Sequence, residues 1–153
     1  MLIPIDIWGR NLLNPGFRFT FFLRLCSYFK PKKSLLYYFF YILWRHYKYK
    51  YGLEIHPSTD IGAGVYIGHF GGVVINSQSK IGSNVNISQG VTIGSINRGK
   101  KCGFPTIGNS VYIGPGAKVL GNIVIGNNVA IGANAVVLED VPIIAVSVVS
   151  LHK

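Results

Sequence analysis

Two stretches of the sequence carry side chains that could do chemistry, and both interrupt an otherwise regular pattern of apolar residues. The first contains His69, set among glycines in Gly68–Gly72, and the second is the polar run Ser95–Pro105, which holds three bases. An imidazole accepts a proton near neutral pH, so His69 could act as a general base, and the basic run could bind an anion. A lone histidine on a turn is more often a plain surface residue, and a basic loop is more often only solvated. Which interpretation applies therefore depends on the secondary-structure elements that position these residues.

The interrupted pattern is a period of six residues that runs from residue 55 to residue 141. Its clearest mark is an Ile-Gly pair, which begins at positions 61, 67, 81, 93, 107, 113, 125 and 131. An α-helix and an alternating strand have other periods, whereas a parallel β-helix gives one short strand and one turn to each hexad. Three hexads close a triangular coil, so the run predicts four to five coils with the isoleucines stacked inside. Departures from a regular sequence pattern are expected at functional sites. We therefore expect the two interruptions to line one cleft together.

The first 50 residues differ in composition from the rest. They hold 9 of the 15 Lys and Arg residues, 15 of the 20 aromatic residues and a single acid. We predict two helices here, at about 15–30 and 34–49, with Pro31 ending the first. The apolar run Leu35–Trp44 is too short to cross a bilayer, which takes about 20 residues. Either the aromatic faces pack on the rest of the protein or a sister subunit, or residues 15–49 contact an anionic membrane surface.

The net charge of +10 is concentrated in this front segment. Residues 1–50 contribute +8 (nine bases and one acid), and residues 51–153 contribute +2 (six bases and four acids). The front carries no signature of a nucleic-acid-binding module, so we expect no nucleic-acid partner. The two cysteines lack the spacing of zinc or redox motifs, and the first ten residues do not resemble a signal peptide. We therefore expect a cytoplasmic protein, located at the inner face of the membrane if the front segment binds lipid.

The hexads carry a family resemblance. The pattern [Ile/Val]-Gly-x-x-small-x, with the segments EIHPSTDIGAGVYIGH, ISQGVTIG, FPTIG, IGPGAKVLG and IGANAVVLEDVP, resembles the hexapeptide-repeat acyltransferases. Within them the chain is similar to the serine O-acetyltransferase branch, including its polysaccharide O-acetyltransferase relatives. The resemblance implies a mainly β fold, in which a short α-helical segment (1–50) precedes a left-handed parallel β-helix (51–153). The left hand of the coil, and a homotrimer with active sites between subunits, come from the resemblance alone.

The resemblance also implies roles for individual residues. His69 lies where these enzymes have their catalytic base, and Glu54, fifteen residues upstream, lies where they have the carboxylate that pairs with it. Glu54 would hold the ring and stabilise the imidazolium that forms in the reaction. His56 also matches a family histidine, but in an Ile-His-Pro turn it is better explained as structural.

Acetyl-CoA is the implied donor. Its pantetheine arm would lie against small residues along the prism, and a basic side chain would meet a phosphate. The implied CoA-binding positions are Gly94, Ser95, Gly114, Pro115, Gly132, Ala133 and Lys118. We assign Arg98, Lys100, Lys101 and Phe104 to a substrate loop. Its three bases, like Lys118, are candidates to bind the CoA phosphates or an anionic acceptor.

Several departures from the serine enzymes bear on the acceptor. Gly103-Phe104 stands where they place an Arg-His pair for the amino acid, and Gly68 stands where they carry an acid before the base. About 50 basic and aromatic residues replace their large helical domain, and the chain ends in VVSLHK instead of a Gly-x-Pro-Ala segment. The function implied is transfer of acetyl from acetyl-CoA to an acceptor hydroxyl, on a sugar of a surface polysaccharide or of its lipid-linked precursor.

Other interpretations stay open beside this one. The near alternative is a serine O-acetyltransferase of cysteine biosynthesis, and an alternative of another class is a non-catalytic β-solenoid scaffold at the membrane. Cys102 could carry an acyl group, although no His or Asp near it in sequence would activate it. A metalloenzyme of the γ-carbonic-anhydrase type needs three histidine ligands, and only His56 and His69 lie in the repeat, so we predict no metal.

Overall fold

The computed structural model describes residues 14–32 and 35–143, together with the backbone of residues 148–149. Residues 1–13 of the predicted helical segment, and the VVSLHK end apart from that backbone, lie outside the described residues. Two helices come first, α1 (Pro15–Phe29) and α2 (Leu35–Tyr51), with a 3-10 turn at Lys30–Lys32. Fourteen short strands are described after them: β1 (Leu53–Ile55), β2 (Asp60–Ile61), β3 (Tyr66–Ile67), β4 (Val73–Ile75), β5 (Lys80–Ile81), β6 (Asn86–Ile87), β7 (Thr92–Gly94), β8 (Thr106–Ile107), β9 (Tyr112–Ile113), β10 (Lys118–Leu120), β11 (Val124–Ile125), β12 (Ala130–Ile131), β13 (Val136–Val137) and β14 (Val148–Val149).

The helix boundaries follow from local signals. The side chain of Asn14 accepts a hydrogen bond from the backbone N–H of Phe17 at 3.1 Å, and Pro15 occupies the first turn, where its missing N–H costs nothing. At the far end α2 closes at Gly52, whose φ of +60° is the left-handed conformation that favours glycine after a helix. The predicted helices are therefore confirmed to within two residues at each end.

The strands form three parallel sheets that enclose a triangular prism. Sheet A has the order β1-β4-β7-β10-β13, sheet B has β11-β8-β5-β2, and sheet C has β14-β12-β9-β6-β3. Each strand pairs with the strand one coil further along, as in the pairing of Ile55 with Ile75 and of Ile75 with Ile93. A repeated hexad gives this register because each face of the prism takes one hexad. The predicted parallel β-helix is confirmed.

Two of the three corners of the prism contain the interruptions of the hexad period. The chain passes from sheet C to sheet A, here called the C–A corner, at residues 68–72, 88–91, 114–117 and 132–135. It passes from sheet A to sheet B, here called the A–B corner, at residues 56–59, 76–79, 95–105 and 121–123. The two interruptions of the period are the long members of these two corners, so they lie at opposite edges of sheet A.

The core is a stack of aliphatic residues inside the prism, and helix α1 extends it. The largest fully buried strand residues are Leu53, Ile55, Ile87, Ile93, Ile113, Ile125 and Ile131. Phe19, Leu23 and Cys26 of α1 belong to the same buried cluster. Because the helices and the coils share one core, a division into domains at residue 51 stays a prediction.

Helix α1 also closes the open end of the prism. Strand N–H groups donate to carbonyls of the following coil, as Gly62 does to Ile81, so the carbonyls of the first coil have no preceding coil to bond. The guanidinium of Arg24 donates to the carbonyls of Ile61 and Gly62, and the hydroxyl of Ser27 donates to that of Pro57. These bonds satisfy backbone groups whose burial without partners would be costly.

Helix α2 contacts the molecule through a narrower face. Its buried residues are Trp44 and Tyr51, whereas its opposite side is exposed at Leu35, Tyr38, Phe39, Ile42 and Tyr49. In the described parts of the chain, neither helix is long and apolar enough to cross a membrane.

Candidate active site

His69 lies at the first C–A corner, in the turn between β3 and β4. The turn is made by glycines, with φ of +115° at Gly71 and +65° at Gly72, and it rests on the junction of α2 and β1 through a ring contact of 5.3 Å between Tyr51 and Phe70. The imidazole is exposed, and no described residue forms a hydrogen bond, ion pair or ring contact with it. Its nitrogens are therefore open to a substrate in the structure.

The turn is tight because residue 68 has no side chain. A Cβ at Gly68 would lie 2.8 Å from Cε1 of Tyr66 and 3.1 Å from its hydroxyl oxygen. The phenol of Tyr66 thus lies directly against the backbone that carries His69. Sequence reasoning did not identify Tyr66; its outward position on β3, two residues before the glycine, is the signal that could have found it.

Glu54 projects outward from the middle of β1 and is 64% exposed. Its Oε1 lies 3.3 Å from the Nζ of Lys48 on α2, and Val74 of β4 is its neighbour across the sheet. Together with Lys48 it borders a groove of about 430 Å³ on sheet A, whose lining is Lys48, Glu54, His56, Val74, Ile75, Asn76, Ser77, Ile93, Gly94 and Ser95. His69 does not line this groove, so the predicted pairing of Glu54 with His69 stays a prediction.

His56 lies in the same groove, and its environment defines its protonation. The backbone N–H of Ser58 donates to its Nδ1 at 3.2 Å, and the ring packs edge-on against Trp44 with centroids 6.0 Å apart. Burial, followed by the positive charges of Lys30 and Lys48, lowers the pKa of His56. A neutral ring that accepts at Nδ1 carries its proton on Nε2, which can donate to a ligand in the groove.

The implied CoA-binding residues fall into separate groups. Gly114, Pro115, Gly132 and Ala133 stack at the C–A corner, where a Cβ on Gly114 would lie 2.8 Å from the nitrogen of Ala133. Gly94 and Ser95 lie at the opposite edge of sheet A, at the start of the long A–B corner.

Lys118 is the first residue of β10, directly after the C–A corner. It projects from sheet A, where its Nζ donates to the carbonyl of Gly90 at 2.7 Å and to the hydroxyl of Thr92 at 3.0 Å. Within a single chain, the implied CoA-binding residues at the C–A corner and those at the A–B corner do not form one site.

The substrate loop folds against the side of the prism. Its two arms pair through an antiparallel bridge between Ile96 and Gly103, and the carbonyl of Lys101 accepts a hydrogen bond from Asn122 at 2.9 Å. The Nζ of Lys101 lies 3.3 Å from Glu139 and 3.4 Å from Asp140. Lys101 therefore anchors the loop to the last coil.

The rest of the loop is placed by this anchor. Arg98 and Lys100 are exposed at the tip, and Phe104 is half-buried at the base. The backbone N–H of Val124 donates to Asp140 at 3.0 Å, and this bond, helped by Lys101, lowers the pKa of the Asp140 carboxyl. The tip is thus the part of the loop available to a substrate.

Comparisons with known proteins agree with this architecture. Residues 104–139 match the family described as bacterial transferase hexapeptide (six repeats). A serine acetyltransferase from Helicobacter pylori is 41% identical over 135 residues, which are 88% of this chain and 78% of that protein. A serine acetyltransferase from Synechocystis is 55% identical over 91 residues, 60% of this chain and 36% of that protein.

Solved structures give the same result. Serine acetyltransferase isoform 3 from Entamoeba histolytica, in complex with cysteine, has a TM-score of 0.76 at 32% identity, covering 97% of this chain and 56% of its own. A serine acetyltransferase in complex with CoA has a TM-score of 0.72 at 35% identity, covering 86% of this chain and 53% of its own. The chain thus spans little more than half the length of these two solved proteins. These matches confirm the predicted left-handed β-helix, and the chain belongs to the hexapeptide-repeat acyltransferases, in the branch that contains the serine acetyltransferases.

Proposed function

We propose that this protein transfers the acetyl group of acetyl-CoA to the hydroxyl of an acceptor, with His69 as the general base. The observation that carries the proposal is the open imidazole at the C–A corner, in a chain whose relatives are named serine acetyltransferases, one of them solved with CoA. His69 takes the hydroxyl proton while the oxygen attacks the acetyl carbonyl. The C–S bond then breaks, and the imidazolium returns its proton to the CoA sulfur.

The site is proposed to form between neighbouring subunits of a homotrimer. His69 and the stacked small residues lie at one edge of sheet A, while Gly94, Ser95 and the loop lie at the other. Two edges of one flat sheet cannot close on a single substrate, whereas the edge of one prism set against the opposite edge of the next can. Light scattering should then give a mass three times that of the 16.8 kDa chain.

The acceptor has two candidates. On the names of the relatives, L-serine is the better supported, because the proteins that match are serine acetyltransferases. The protein would then act in cysteine biosynthesis.

The residues of this chain support a second candidate, a sugar hydroxyl of a surface polysaccharide or of its lipid-linked precursor. A free amino acid carries two charges, and a site that binds them needs charged partners. At the implied acceptor positions this chain has Gly68, against which Tyr66 packs, and the half-buried Phe104. Neutral residues there favour a neutral acceptor.

One assay separates these candidates. Purified protein is incubated with acetyl-CoA and either L-serine or a panel of neutral saccharides, and both free thiol and acetylated product are measured. O-acetylserine as the main product supports the first candidate, and an acetylated saccharide supports the second. If no acceptor consumes acetyl-CoA and no CoA binds in calorimetry, the non-catalytic scaffold is the correct interpretation.

The exposed side of α2 supports a further part of the proposal, contact with the inner face of the membrane. Leu35, Tyr38, Phe39 and Ile42 form an aromatic and aliphatic face, and the exposed bases of the same helix are Arg45 and Lys50. Aromatic rings at headgroup depth beside cationic side chains bind anionic lipid. The protein should sediment with vesicles that contain phosphatidylglycerol and not with phosphatidylcholine vesicles. A variant with Tyr38→Ser, Phe39→Ser and Ile42→Ser should lose that binding.

A further inference from the structure

The outer face of sheet C carries a ladder of aromatic and amide side chains. Tyr66, Asn86 and Tyr112 occupy equivalent outward positions on β3, β6 and β9, and each pairs with the next across the sheet. Since neighbouring strands are about 4.8 Å apart, the two tyrosines stand about 10 Å apart with the amide between them. Tyr112 is 42% exposed, and Tyr66 and Asn86 are half-buried.

A groove runs beside the lower part of this ladder. Its volume is about 650 Å³, and its lining is Gly64, Tyr66, Asn84 and Asn86. Asn84 adopts a φ of +56°, and its Oδ1 occupies the space that a Cβ on Gly64 would fill. None of the four lining residues is charged, in a chain whose net charge is +10. An uncharged lining of this kind suits an uncharged, hydrogen-bonding ligand.

The ladder is joined to the candidate active site through Tyr66. The ring of this residue lies against Gly68, which immediately precedes His69 in the turn. A larger residue at position 68 would have its Cβ 2.8 Å from the ring and would force the phenol away. A ligand lying on Tyr66 would therefore have its end beside the turn that presents the imidazole.

We propose that this ladder is the acceptor subsite and that it binds a neutral saccharide. The face of a Tyr ring packs on the apolar face of a pyranose, and its hydroxyl meets water or a sugar hydroxyl. The amides of Asn84 and Asn86 each provide a carbonyl oxygen and an NH₂ group, which match the donors and acceptors of a sugar ring. Tyr112 then supports the next sugar residue. This inference rests on the second acceptor candidate and extends it by locating the sugar.

Binding and turnover are measured separately to test it. Saturation-transfer NMR with neutral tetrasaccharides of glucose and of N-acetylglucosamine should give transfer from the aromatic protons, with shifts in the side-chain amides of Asn84 and Asn86. Tyr66→Ala and Tyr112→Ala should each weaken binding about three- to tenfold, because each removes one stacking surface. Tyr66→Phe should retain binding. The matched control is Tyr49→Ala, an exposed tyrosine near the end of α2 that lies outside the ladder and is not among the residues of the proposed membrane face.

The outcomes distinguish this inference from the proposed function. If a saccharide is acetylated but its KM is unchanged in Tyr66→Ala and Tyr112→Ala, the subsite is wrong and the proposed function stands. Ladder-dependent saccharide binding without acetyl transfer to any acceptor supports a saccharide site on the ladder but overturns its acceptor role together with the proposed function. If no tetrasaccharide binds and L-serine is the product, the subsite is wrong. Intact CoA binding in each variant shows that it has folded.

Discussion

The carboxylate of Glu54 lies 3.3 Å from the Nζ of Lys48, which ties the last turns of α2 to the first strand of the prism. The family resemblance pairs this carboxylate with His69, whereas in the single chain its partner is a lysine. The pair is largely exposed, so it contributes less than about 1 kcal/mol to the free energy of unfolding. An ion pair this weak does not hold Glu54 away from His69 in the site that we propose between subunits.

Glu54→Gln tests the positioning role of this carboxylate. In the proposed reaction this carboxylate stabilises the imidazolium that forms on His69 as it takes the acceptor proton, so Glu54→Gln should lower kcat by about tenfold or more and leave the KM for acetyl-CoA unchanged. Lys48→Met, which removes the other half of the ion pair, is the matched control and should leave kcat within about twofold. A kcat in Glu54→Gln within about twofold of the wild type, or an equal change in KM and kcat, would show that the carboxylate does not act on the base.

Substitutions at Lys101 and Lys100 should distinguish the attachment of the loop to the prism from its contact with a substrate. Lys101 bonds Glu139 and Asp140 through exposed ion pairs worth less than about 1 kcal/mol, so Lys101→Ala should loosen the loop and accelerate tryptic cleavage after Arg98 by about two- to fivefold. Lys100→Ala should leave the cleavage rate at Arg98 unchanged and raise the KM for acetyl-CoA. Equal cleavage rates in the two variants would contradict the anchoring role.

Gly16→Ala should destabilise the protein although alanine is the better helix former by about 1 kcal/mol. A Cβ at this position of α1 would lie 2.1 Å from the carbonyl oxygen of Ile67, so the helix must move away from the first coil. We expect the free energy of unfolding to fall by about 1–3 kcal/mol in urea denaturation. Tyr38→Ala on exposed α2 serves as the control and should change it by less than about 0.5 kcal/mol. A more stable Gly16→Ala variant would contradict the close packing of α1.

His56 should titrate below its ordinary pKa of 6.5, because burial and the charges of Lys30 and Lys48 disfavour the imidazolium. The folded pKa lies below that of the unfolded chain, so the neutral ring contributes stability that is present above about pH 6.5 and is lost as the pH falls below it. NMR titration of the ring protons measures the midpoint. Lys48→Met should raise that midpoint without restoring the ordinary value, since burial remains. A midpoint at or above 6.5 in the wild type would refute this description.

The coils could be predicted from the sequence because the hexad repeat is a local pattern. Several details of the site could not, because they depend on contacts between distant parts of the chain. The hexad period assigns the isoleucines of the repeat to the interior, and Pro31 and Gly52 mark helix ends, so sheets and helices could be predicted from local patterns. Lys101 meets Asp140 across 39 positions, and Arg24 meets Gly62 across 38. No local pattern encodes such contacts.

The contact of Tyr66 with Gly68 was missed for a different reason. The spacing is local, but the outward direction of the ring becomes informative only when the corner that carries His69 is in place. A β-branched or aromatic residue at an outward strand position otherwise reflects strand preference alone.

The most direct test of the whole account is a comparison of wild type with His69→Asn, in one assay of acetyl-CoA turnover with the acceptor that the wild type uses. The His69 side chain has no described partner, so the substitution should leave the Tm and the Kd for CoA unchanged. Loss of the general base should lower kcat by about 100-fold or more. Turnover within about threefold of the wild type, with CoA still bound, would contradict the assignment of His69 as the base and with it the proposed site.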